Sequence, residues 1–88
     1  MISLSDNAII LNPRRELTRP QQTALKAIAF FRRQKKTGSR WIIGDARIPE
    51  TTISDLQRLD LVGEDRVHGV STLRLTTAGS LAAERLRQ

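Results

Sequence analysis

Cysteine is absent from this 88-residue chain, and histidine occurs once, at His68. The first absence excludes a disulfide framework and thiolate chemistry. The two together exclude an ordinary structural zinc site. Aromatic residues are few: Phe30, Phe31 and Trp41. The core must therefore be built from Leu, Ile, Val and Ala. Long apolar runs are also missing. Ala8-Ile9-Ile10-Leu11 is far short of the roughly 20 residues that span a bilayer. The N-terminus has no basic segment followed by a long apolar stretch. These features predict a soluble, cytoplasmic protein without membrane contact. No internal repeat or low-complexity segment is present. A chain of this length makes one domain, burying only about 60–65% of the surface its unfolded form exposes.

Acidic charge is in deficit. Fifteen Lys and Arg face nine Asp and Glu, giving a formal net charge of +6. Three of the fifteen are Lys (26, 35 and 36), so twelve are Arg. Such an excess raises the local concentration of polyanions and favours encounter with nucleic acid.

Along the chain, residues 1–16 carry weak signals. Ala8–Leu11 reads as a short strand or an apolar arm, and Asn12-Pro13 stops it. The segment packs on the domain or is exchanged with a second subunit. The domain proper is expected over residues 17–88. Its first helix opens at Thr18, with Gln21 completing a capping box and Pro20 in the first turn. Leu17 is placed to staple against it. Ala24, Leu25, Ile28, Ala29 and Phe31 form one apolar stripe. Lys35 and Lys36 fall in the expected last turn, favourable for the helix dipole, and Gly38 ends the helix. The expected span is about Arg19 to Lys36.

Trp41-Ile42-Ile43 reads as a short strand or the entry to a brief helix, with Trp41 a core or interface plug. A second helix covering Ile43 to Arg47 is the candidate here. Pro49 to Asp60 is the next helix, with Ile53, Leu56 and Leu59 as its buried stripe. Thr52 and Asp55 offer a second capping pair, a few residues into it. Gly63 breaks the apolar contact that Leu61-Val62 continues. Arg66 to Thr76 reads as a hairpin turning at His68-Gly69-Val70-Ser71. Thr76 or Thr77 caps a last helix whose Leu81, Ala82 and Leu86 face inward.

Two stretches carry a family resemblance. Thr51-Thr52-Ile53-Ser54-Asp55-Leu56-Gln57-Arg58-Leu59-Asp60-Leu61-Val62 is similar to the reading helix and exit of bacterial winged-helix regulators of the MarR and PadR kind. Leu73-Arg74-Leu75-Thr76-Thr77-Ala78-Gly79 resembles their second wing strand and following helix. Leu17-Thr18-Arg19-Pro20-Gln21 resembles the opening of an earlier helix. The resemblance covers about Leu17 to Leu86. It implies a mainly α fold with a small β-hairpin: a winged helix-turn-helix with a three-helix core, a two-strand wing and a C-terminal helix. It implies a DNA-binding transcriptional regulator, prokaryotic or phage, with helix 49–60 in the major groove and hairpin 66–76 as wing. Thr51, Thr52, Ser54, Gln57 and Arg58 would then face bases and phosphates, with Arg47 beside them. Arg66, His68 and Arg74 would contact DNA from the wing. Arg32, Arg33, Lys35, Lys36 and Arg40 are further candidates for phosphate contacts, although cations at a helix end need no ligand to explain them. The partner would be double-stranded DNA, bound by a homodimer formed through the N-terminal arm or the C-terminal helix.

The reading helix is locally acidic, with Glu50, Asp55 and Asp60 against Arg58, and Glu64-Asp65 sits at the base of the wing. This motivates the alternative, a winged-helix module that binds a protein, as a small adaptor or phage-type inhibitor. The same fold serves both uses. No enzyme is expected. His68 lies in a turn, and the Ser and Thr residues at helix starts are explained by capping. No cofactor or metal is expected.

Overall fold

The computed structural model describes residues 7–87. Helix α3 (Arg19–Phe30) starts as the sequence predicts. The Thr18 hydroxyl accepts a hydrogen bond from the Gln21 amide, and the Thr18 amide donates to Gln21 Oε1 at 3.0 Å. This closes a capping box. Ala24, Leu25, Ala27 and Ile28 are buried along one face.

The helix ends at Phe30, not at Lys36, and Phe31 leaves the stripe to stand half-exposed. Residues beyond it form a three-stranded antiparallel meander: β1 (Gln34–Thr37), β2 (Arg40–Ile43) and β3 (Ala46–Pro49). The expected helix at Ile43–Arg47 is therefore a turn and a strand. The physical reason lies in two short loops. Gly38-Ser39 joins β1 to β2 and Gly44-Asp45 joins β2 to β3, with φ of 60° and 57° at the leading glycines. Two-residue hairpins that open on a positive φ match the twist of paired strands. The meander then buries Trp41, Ile43 and Ile48 on one face. Each large apolar side chain so buried contributes about 1.5–3 kcal/mol, which outweighs the helix preference of Gln34-Lys35-Lys36. The two lysines occupy an edge strand instead of a last helical turn, and charge there discourages pairing with other chains.

Helix α4 (Glu50–Arg58) follows β3 directly, with Pro49 as its N-cap. Ile53 and Leu56 are buried, but Leu59 is not. The helix ends in a Schellman motif. The Leu61 amide donates to Leu56 O and the Asp60 amide to Gln57 O, both at 3.0 Å, with Asp60 at φ 60°. This reversal hands the core position to Leu61.

Strands β4 (Val62–Val67) and β5 (Val70–Leu75) form the expected hairpin, longer at its base than residues 66–76. His68 and Gly69 both have positive φ, as a type I′ loop requires. The Gln34 amide fastens the meander to it, donating to Leu73 O at 2.9 Å and accepting from Leu73 N at 2.7 Å. Helix α5 (Thr77–Arg87) starts where the Thr76 hydroxyl accepts from the Gly79 amide at 3.0 Å. Its buried residues include Ala78, Ala82, Ala83 and Leu86, whereas Leu81 faces outward.

Ala8–Leu11, read as a strand or arm, forms a single-turn helix α1, followed by α2 (Pro13–Glu16). Ile10 and Pro13 are buried, and Arg14 Nη2 donates to Leu86 O at 2.9 Å. The rest of the expected arm, residues 1–6, lies outside the described residues. The whole is an α/β domain around one apolar core, with two antiparallel sheets where one small hairpin was expected. Among the described residues no helix is long and apolar enough to cross a membrane.

Candidate nucleic-acid interface

The strand register decides which cations share a face. Lys35 pairs with Ile42, and Ile42 with Arg47, in one row across the meander. Thr37, Arg40 and Pro49 form the next row. Both rows point away from the face that buries Trp41, Ile43 and Ile48, because strand side chains alternate. The outer face thus carries Lys35, Arg40 and Arg47 and no carboxylate. Arg32, Arg33, Lys35 and Ile42 also line a shallow cleft at the α3 end of this sheet.

At its other end the face runs into α4. The Glu50 amide donates to Ser39 O at 2.9 Å, which holds the β1–β2 turn against the helix start. A groove there is lined by Ser39, Pro49, Glu50, Thr51, Ser54, Asp55 and Arg58, so two carboxylates stand in it beside the one arginine. Thr51, Ser54 and Arg58 are exposed, and Thr52 and Gln57 half-buried. Ser39 was not among the residues singled out from sequence; its position depends on the meander.

Several expected contacts are locally engaged. Arg58 is hydrogen-bonded and ion-paired to Asp55 one turn earlier. Gln57 Nε2 donates to Glu64 Oε1 at 3.3 Å. Arg74 pairs with Asp65 at 2.8 Å, and Lys36 with Glu50 at 2.8 Å. The hydrogen bond to Glu50 raises the Lys36 pKa above its ordinary value, so this lysine stays charged. Its ammonium also lies 5.8 Å from the centre of the Trp41 ring. By contrast, Arg32, Arg33, Lys35, Arg40, Arg47 and Arg66 have no acidic partner among the described residues.

The hairpin divides its own cations. Arg66 shares a face with Leu73, toward the body of the domain, and lines a groove with Lys35, Lys36 and Ser71. Arg74 lies on the opposite face. His68 is exposed in the loop between them. The structure therefore brings Lys35, Arg40 and Arg47 to one sheet face and Thr51, Ser54 and Arg58, with Glu50 and Asp55, to the groove beside it. Arg66 borders Lys35 and Lys36, but Arg66, His68 and Arg74 do not share a face. No group of three or more His, Cys, Asp or Glu among the described residues is placed to hold a metal ion. No family model, curated protein or solved structure matches the chain.

Proposed function

We propose that this chain is a DNA-binding domain of the winged-helix kind, acting as a transcriptional regulator, with α4 as reading helix and β4–β5 in the place of the wing. One observation carries the reading: cations without acidic partners border a helix whose exposed side presents Thr51, Ser54 and Arg58. Hydroxyls and amides at such positions can bond base edges or phosphates, while nearby Arg and Lys hold the backbone. The order of helix, hairpin and helix from Glu50 to Arg87 supports it further. The test is selection of bound sequences from a random duplex pool. The wild-type chain should enrich a defined motif, and Thr51→Ala with Ser54→Ala should blur it without reducing salt dependence. Failure to retain any duplex at low salt removes the proposal.

A second reading, contact with a protein, draws on two specific features. Asp55 offsets the charge of Arg58 on the reading helix. Val67 and Val70 pair at the hairpin tip and are both more than half exposed. Recovery of one stoichiometric protein partner, with no nucleic acid, would select this reading.

A further inference from the structure

We propose that the outer face of the β1–β2–β3 meander is the main phosphate-binding surface of this domain, and that a DNA duplex lies across it with α4 alongside. The inference rests on the DNA-binding reading and names the surface that performs it.

Three observations support it. Lys35, Arg40 and Arg47 project from three adjacent strands on one face. Strands lie about 4.8 Å apart, so Lys35 and Arg47 stand roughly 10 Å apart at their bases, with Arg40 on the strand between. None is tied to a carboxylate among the described residues. A phosphate that binds them has no ion pair to break first. The hairpin β4–β5 offers only one such cation, Arg66, which has no acidic partner among the described residues. Arg74 is held by Asp65, and Arg66 and Arg74 stand on opposite faces, so one DNA backbone cannot meet both.

Continuity adds the second part. Arg40 pairs with Pro49, the residue that caps α4. The cationic face therefore passes directly into the groove beside Thr51 and Ser54. A duplex whose backbone rests on the meander presents a groove edge to that helix. The outer positions of the three strands hold no aromatic ring, and the half-exposed Phe31 lies against Gly44 at the β2–β3 turn, beyond the strands. Platforms for single strands stack bases on aromatic rings, and here the one aromatic of the sheet, Trp41, is turned into the core at 1% exposure. The outer centre is Ile42, which cannot stack a base.

The test is a fluorescence anisotropy titration of a short labelled duplex across about 50–200 mM salt, a range over which phosphate contacts change affinity strongly. Each lost phosphate contact lowers the slope of log affinity against log salt by about one. The variant K35Q/R40Q/R47Q should lower it by roughly three, whereas R66Q/H68Q/R74Q should lower it by about one or less. The charge-keeping variant K35R/R40K/R47K should restore the slope. If circular dichroism shows that the triple glutamine variant is unfolded, Arg47→Gln alone should lower the slope by about one. An unchanged slope in the folded sheet variants, with loss in the hairpin variant, overturns the inference and leaves DNA binding standing. Tighter binding of the single strand than of the duplex overturns it as well. A wild-type chain that binds no duplex at low salt takes both proposals down.

Discussion

At Gly79 an added Cβ would lie 1.9 Å from the carbonyl oxygen of Leu61. That oxygen belongs to backbone and also accepts from the Thr76 amide at 3.0 Å, so it cannot step aside. Replacing glycine by alanine inside a helix normally stabilises by about 1 kcal/mol. Here the sign should reverse: Gly79→Ala should cost about 1–3 kcal/mol or more, as overpacking does. A thermal or urea midpoint equal to or above wild type would refute the packing described. Asp60 presents the opposite case. It holds φ 60° at the end of α4 without a side-chain hydrogen bond of its own among the described residues. A left-handed conformation costs a residue with a Cβ roughly 1–2 kcal/mol, and glycine escapes that cost. Asp60→Gly should therefore raise stability by about 0.5–1 kcal/mol, after glycine's greater chain entropy is set against the relief. Urea unfolding followed at Trp41 measures both changes.

At element scale the two sheets share one apolar core and are linked by the Gln34 side chain, whose amide satisfies both main-chain groups of Leu73. Gln34→Ala should cost about 1–3 kcal/mol, because half-buried groups lose their partner. Gln34→Glu is more telling. A carboxylate would still accept from the Leu73 amide but would set its second oxygen against the Leu73 carbonyl. Its folded-state pKa is then raised above the ordinary value of about 4.3. The protonated form fits the fold, so the variant should approach wild type below that ordinary value and fall behind as pH rises through the raised one. A stability gap from wild type that does not change with pH counts against the two-pronged bond. The same elements show what the sequence reveals. The Thr18–Gln21 capping box and the His68-Gly69 hairpin are local, and local spacing announces both. The meander is announced too, by Gly38-Ser39 and Gly44-Asp45 six residues apart, but each dipeptide also fits the end of a helix or a cap. Only the burial of Trp41, Ile43 and Ile48 against distant residues decides between them. The site follows suit. The Asp55–Arg58 pair is visible as helical spacing, whereas Lys35 and Arg47 meet on one face only through a register that a linear reading does not contain.

For the whole molecule, the question is whether the N-terminal segment belongs to the folding unit. The radius of gyration is 12.5 Å, close to the roughly 12 Å expected of one compact body of this length. Ile10 is 5% exposed within the same apolar cluster as Leu86. Arg85 and Arg14 tie α5 to the backbone and side chains of that segment. Removing residues 1–12 therefore strips the cover from α5 instead of trimming a loose end. The loss of a buried isoleucine contributes about 1.5–3 kcal/mol, and Leu86 becomes exposed in addition, so the truncated chain should be about 2–4 kcal/mol less stable. Domains of this kind have only about 5–15 kcal/mol in total, and small ones lie near the lower bound. With a urea slope of about 1 kcal/mol per molar, the midpoint should fall by roughly 2–4 M. Trp41 sits in the core at 1% exposure, so its fluorescence reports global unfolding and not local fraying. Its transition should coincide with that of far-UV circular dichroism in both chains, as one cooperative unit requires. An unchanged midpoint after truncation would mean that α1 is an independent arm, free to pair with another molecule.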